Sequence, residues 1–80
     1  KRGMQADGKV FARILEDGMS FKLGEGTRAH AEALALHGAE LWDGHRDGHP
    51  FRGWVRVPVE HAELWGRFAE AALRQLRQKL

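Results

Sequence analysis

The sequence predicts an α+β domain in which helices pack on one face of an antiparallel sheet. Residues 10–23 and 39–58 each contain two short segments of strand character joined by a turn or a polar loop. Each pair is followed by a segment whose apolar residues recur at helical spacing. Because the strands arrive as hairpins with short connections, the pattern favours an antiparallel sheet over a doubly wound parallel one.

Length and composition limit the chain to a single domain, residues 1–80. The apolar fraction is 42% and the charged fraction is 30%, which is ordinary globular composition. The chain has no cysteine, so disulfides and thiolate metal sites are excluded. No segment approaches the roughly 20 apolar residues that a membrane-spanning helix needs. We therefore expect a cytoplasmic protein that does not bind membranes.

The first hairpin is predicted from residues 10–15 and 19–23, which flank Asp17-Gly18. An Asp-Gly pair supplies the positive φ angles of a tight turn. Thr27 is expected to cap a helix that extends to about residue 37, and Gly38 is expected to end it.

The second hairpin is predicted from residues 39–42 and 51–58. Alternation along 51–58 places Phe51, Val55 and Val57 on one face, and Arg52, Trp54 and Arg56 on the other. A long helix is predicted from about residue 59. Its apolar stripe comprises Leu64, Trp65, Phe68, Ala72 and Leu76, and the pairs Glu63 with Arg67 and Glu70 with Arg74 support it at i,i+4 spacing.

The loop between the strands of the second hairpin contains the metal-ligand candidates Asp43, His45, Asp47 and His49. Imidazole and carboxylate ligands suit a divalent ion such as zinc or nickel. Asp and Gly are equally what a hairpin loop requires, and Arg46 would place a cation among the ligands. We favour the loop interpretation, and we expect solvated or capping roles for His30, His37 and His61.

Catalytic patterns are not evident in the sequence. The only hydroxyl-bearing side chains of serine or threonine are Ser20 and Thr27, and no histidine lies near Ser20 in sequence. Glycine-rich phosphate-binding motifs are also missing, because Gly24-Glu25-Gly26 lacks the Lys-Ser/Thr ending. We therefore predict a protein that is not an enzyme, with no catalytic residues and no cofactor.

The strand face that carries Arg52, Trp54 and Arg56 permits two interpretations. If the face is exposed, the tryptophan can stack on bases while the arginines and Lys22 neutralise phosphates, as in single-strand binding proteins. If the long helix covers this face, Trp54 belongs to the core. We favour burial under the helix, because a chain of 80 residues can hardly leave its largest apolar side chains in water.

Four short motifs span nearly the whole chain in order: residues 8–13 (GKVFAR), 21–23 (FKL), 51–58 (FRGWVRVP) and 62–65 (AELW). Their order and spacing resemble the N-terminal domain of the TfoX/Sxy family. They are also similar to the related MmcQ/YjbR family, and the motifs do not separate the two.

This resemblance implies a fold akin to type III secretion chaperones, with about five strands, so we expect a sheet of four to five. Members carry an additional helix before the first strand, and we expect this chain to lack it. The matching positions Lys9, Gly53 and Trp54 are structural: Gly53 permits close packing and Trp54 anchors helix to sheet. The family has no established enzymatic motif, and the competence role of TfoX itself is not carried over.

Two functional hypotheses follow from these observations. The first is a non-enzymatic interaction or regulatory domain that binds a protein partner or a second copy of itself. The alternative is a weak nucleic-acid-binding protein that uses Arg52, Trp54, Arg56 and Lys22.

Overall fold

The computed structural model describes residues 2–6, 8–42 and 51–78 and confirms an α+β domain built on a five-stranded antiparallel sheet. The strands are β1 (Arg2–Ala6), β2 (Lys9–Leu15), β3 (Gly18–Lys22), β4 (Glu40–Trp42) and β5 (Phe51–Pro58). Their order in the sheet is β1-β2-β3-β5-β4. The helices are α1 (Arg28–Leu34), a 3₁₀ segment (Val59–Leu64) and α2 (Trp65–Gln78).

Strand β1 was not predicted from the sequence pattern, and it forms a hairpin with β2. Ala6 pairs with Lys9 across the turn, where Gly8 has a φ of 77°. The positive φ predicted at Gly18 is wrong, because Gly18 opens β3 and pairs with Leu15. A Cβ at Gly18 would collide with the carbonyl oxygen of Val57, so this glycine permits a close approach between strands.

The hydrophobic core lies between one face of the sheet and the helices. Helix α2 packs on β2 and β3, and α1 packs on β5. The Phe21 and Phe68 rings meet with centroids 6.0 Å apart. The core side chains are Phe11, Ala12, Met19, Phe21, Leu23, Ala33, Val55, Val57, Phe68, Ala72 and Leu76.

Helix α1 begins at the predicted cap. The Thr27 Oγ1 accepts a hydrogen bond from the His30 amide at 3.2 Å. The predicted extension to about residue 37 with Gly38 as the stop is wrong, because α1 ends at Leu34 with Ala35 as its C-cap, and Gly38 lies in the turn that follows with a φ of 82°. The expectation of a solvated or capping His30 is wrong, because its side chain is buried and its Nε2 donates to the Arg52 carbonyl oxygen at 2.6 Å. This bond ties α1 to the start of β5.

The long helix starts later than predicted. Residues Val59–Leu64 form a 3₁₀ segment with a kink at His61, and the Val59 amide donates to the Asp17 carbonyl oxygen at 2.9 Å. Glu63 lies in the 3₁₀ segment and Arg67 in α2, so the α-helical i,i+4 spacing expected for this pair does not hold. Arg67 Nη2 instead donates to Glu32 Oε1 of α1 at 2.9 Å. The predicted pair of Glu70 with Arg74 is present at 3.7 Å.

His61 also fixes the 3₁₀ segment to the chain that follows α1. Its Nε2 donates to the His37 carbonyl oxygen at 2.9 Å. The side chain therefore has a structural role close to the capping role expected for it.

Candidate binding surface on the helix-free sheet face

Strand β5 shows which face of the sheet the helices cover. Val55 and Val57 are fully buried in the core, so the alternation of the strand places Trp54 and Arg56 on the opposite face. The prediction that the long helix covers Trp54 is therefore wrong, as is its role as an anchor between helix and sheet. The β-branched valines contribute to the helix-packed core, and Trp54 stays half-buried on the opposite face. We call this the helix-free face, because none of the helices within residues 2–6, 8–42 and 51–78 packs on it.

Trp54 packs against Trp42 of β4 on this face. The ring centroids are 5.2 Å apart and the ring planes are tilted by 51°. The pairing of β4 with β5 is irregular between Leu41 and Trp42, so that Trp42 pairs with Phe51 instead of Trp54. The two indoles provide a large, rigid and partly accessible apolar surface of the kind that dominates binding interfaces.

Arg13 of β2 completes this arrangement. Its Cζ lies 5.9 Å from the centroid of the Trp42 ring, which is a cation–π contact. Because β3 and β5 separate β2 from β4, the guanidinium and the indole must lean toward each other over the middle of the sheet. We call Arg13, Trp42 and Trp54 the tryptophan surface.

Ser20 lies in the cross-strand row between Arg13 and Arg56. Its side chain is fully buried even though the helices pack on the other face. Other side chains of the helix-free face therefore cover Ser20. A partner could contact those covering side chains but not Ser20 itself.

Arg56 is held by groups of the protein itself. Its Nη1 lies 3.5 Å from Asp17 Oδ2, its Nε lies 3.5 Å from Glu40 Oε2, and its Nη2 donates to the Gly38 carbonyl oxygen at 3.1 Å. Only 20% of the side chain is exposed. Two carboxylates thus neutralise the charge that the sequence suggested for phosphate binding.

The other two basic residues predicted for this face, Lys22 and Arg52, lie in different surroundings. Lys22 pairs directly with Trp54 and belongs at the border of the tryptophan surface. Arg52 is 78% exposed, and its Nη1 lies 4.0 Å from Glu25 Oε2. The Leu23 and Gly24 amides both donate to the Gly53 carbonyl oxygen. A Cβ at Gly53 would lie 3.8 Å from the Gly24 Cα, an ordinary van der Waals distance, so the close packing expected of this position does not require a glycine.

Sequence reasoning missed Arg13 and Trp42. The signal for Trp42 was its place at the end of one hairpin strand, near Trp54 at the start of the other. The contact with Arg13 depends on the strand order, which local patterns do not reveal.

A groove of about 390 Å³ lies between α1 and α2 and contains the basic residues Arg28, Arg67 and Arg74. Arg67 is paired with Glu32, and Arg74 is paired with Glu70. The groove therefore offers less uncompensated charge than its arginine content suggests, and the tryptophan surface is the stronger candidate.

The metal-ligand candidates Asp43, His45, Asp47 and His49 lie outside the described residues. Among residues 2–6, 8–42 and 51–78, no cluster of three or more His, Asp or Glu side chains could hold a metal ion. The same part of the chain contains no helix that is both long enough and apolar enough to cross a bilayer.

Comparisons with models of known protein families, with curated proteins and with solved structures give no match. The resemblance to the TfoX/Sxy family therefore stays a prediction.

Proposed function

We propose that this chain is a non-enzymatic interaction domain that binds a protein partner through the tryptophan surface. The observation that carries the proposal is the half-buried pair of Trp42 and Trp54 on a sheet face without helices. Tryptophan and arginine are the residues most often found at the energetic centre of protein interfaces. A regulatory role in the cytoplasm, of the kind that the TfoX resemblance implies, is part of the same proposal.

The surroundings of the tryptophan surface support a protein partner. The ion pairs of Arg56 with Asp17 and Glu40 form a polar border beside the aromatic centre. An apolar centre with a polar rim is the usual organisation of a protein interface.

Nucleic-acid binding is the second candidate, and it is favoured by the position of Trp54 on the face opposite the described helices. Single-strand binding combines stacking of bases on aromatic rings with nearby cations that neutralise the phosphates. Arg56 is occupied by two carboxylates and Arg52 lies beside Glu25, so that Arg13 and Lys22 are the main cations that remain at the site. This charge distribution favours a protein over a nucleic acid.

The test compares proteins retained from lysate by three immobilised chains: the parent, Trp54→Gln, and the control Arg74→Ala on α2. Folding of each is verified by thermal unfolding. We expect a set of proteins that the parent and Arg74→Ala retain and Trp54→Gln loses. Direct titration of an identified partner should then show at least about tenfold weaker binding to Trp54→Gln, equivalent to about 1.4 kcal/mol.

Retention of the same proteins by all three chains would contradict the proposal. Titration with single-stranded DNA at low and moderate salt distinguishes the second candidate. Salt-dependent binding that Trp54→Gln abolishes would assign the surface to nucleic acid instead.

A further inference from the structure

The two edges of the sheet differ in their protection against further strand pairing. Strand β4 has three residues, and its first residue, Glu40, carries a charge that faces Arg56. Strand β1 has five residues, includes no proline and no acidic residue, and is uncharged from Gly3 to Ala6. Short length, charge and proline are the usual means of protecting an edge, so β1 is the less protected one.

The irregularity between β1 and β2 does not interrupt the β1 edge. Met4 pairs with Ala12 and Gln5 pairs with Val10, so the extra residue, Phe11, belongs to β2. The five residues of β1 therefore remain consecutive and extended, and their outward backbone groups form a continuous row.

A row of core residues ends at this edge. Val55, Phe21 and Ala12 are cross-strand neighbours and are fully buried, and the next residue in the row is Met4, which is 41% exposed. Helix α2 packs mainly on β2 and β3. The apolar row thus meets solvent at the point where the backbone edge is open.

We propose that β1 pairs antiparallel with β1 of a second copy, with Met4 opposite Met4 on a two-fold axis. This register pairs all five residues, with Arg2 opposite Ala6 and Gly3 opposite Gln5. It continues the row of Val55, Phe21, Ala12 and Met4 into the same row of the second copy, and it keeps the two Arg2 residues from facing each other.

The register centred on Met4 pairs β1 with a second copy more completely than the register centred on Gly3. Centring the axis on Gly3 would place Met4 opposite Arg2 and would pair only Arg2, Gly3 and Met4 with residues of the other β1. The two-fold arrangement is closed, because the remaining edges are the short β4 strands. The product is a dimer with a continuous sheet of ten strands.

The dimer is expected to be weak. Five residues extend over about 16 Å of strand edge, which is less contact than a standard protein interface provides. We expect a dissociation constant on the order of 100 µM, so the dimer forms in a concentration-dependent manner.

The absence of cysteine makes a direct test available. A Met4→Cys chain has one thiol, and the two-fold register brings the two copies' thiols within reach of a disulfide. Under mild oxidation we expect Met4→Cys to form a disulfide dimer at least about tenfold faster than the control Val59→Cys, at a position that is 60% exposed. Equal oxidation rates would overturn the proposed register.

Sedimentation velocity of the parent chain, from about 10 µM to about 1 mM, tests for the dimer without cross-linking. Met4→Lys places two like charges opposite each other, so it should abolish the dimer, whereas Val59→Lys should leave it unchanged. A monomer at every concentration would overturn the proposal, and so would a dimer that Met4→Lys does not weaken. Trp54→Gln should dimerise like the parent, which separates this inference from the proposed function.

Discussion

The two faces of the sheet are built by neighbouring residues of the same strand and are stabilised in different ways. Val55 belongs to the face that α1 and α2 cover, where aliphatic and phenylalanine side chains fill the core. Trp54, one residue earlier, belongs to the helix-free face, where Trp42 and Arg13 pack over the sheet. The comparison teaches that a two-layer domain can partly bury large aromatic residues on the face opposite its described helices, where they pack against each other.

The largest effect is expected on the covered face. Phe68→Ala removes a buried ring that contacts Phe21 and leaves a cavity between α2 and the sheet. We expect the free energy of unfolding to fall by about 3–5 kcal/mol. Urea denaturation measures this loss, and a fall below about 1 kcal/mol would show that α2 does not seal the core.

A smaller effect is expected between the two tryptophans. A double-mutant cycle with Trp42→Leu and Trp54→Leu isolates the ring-to-ring interaction from the loss of apolar area. We expect a coupling energy of about 1 kcal/mol, typical of aromatic pairs. Additive single-variant effects would mean that the rings do not contact each other in solution.

The smallest effect is expected in the groove between α1 and α2, at the ion pair of Glu32 with Arg67. Both side chains are substantially exposed, so we expect a coupling energy of about 0.5 kcal/mol that decreases at high salt. Glu70 with Arg74 provides a matched pair within one helix. A coupling above about 2 kcal/mol at Glu32 and Arg67 would contradict the solvent-screened geometry.

The secondary-structure elements could largely be predicted from the sequence, because they depend on local periodicity. Four strands and the cap at Thr27 were predicted within a few residues, whereas α1 ends at Leu34 and not at the predicted Gly38. The tight turn was predicted at Asp17-Gly18 and not at Asp7-Gly8. Gly8 adopts the positive φ, whereas Gly18 lies where a Cβ would collide with the neighbouring strand. The two roles can be told apart only once the strand pairing is known.

The candidate site could be predicted only in part. Alternation divides β5 into the Val55 and Trp54 sets, but it does not show which set the helices cover. The ion pairs of Arg56 with Asp17 and Glu40 join three separate segments, as does the cluster of Arg13, Trp42 and Trp54. Contacts of this kind depend on strand order and register, which emerge only in the folded chain.

The assignment of the two faces is tested most directly by urea denaturation of Val55→Asn and Trp54→Gln side by side. Val55→Asn buries an amide without partners in the core, so we expect a loss of at least about 3 kcal/mol or no cooperative unfolding. Trp54→Gln places its amide on the helix-free face, and we expect a folded protein that loses at most about 2 kcal/mol. The reverse order, with Trp54→Gln unfolded and Val55→Asn stable, would contradict the account.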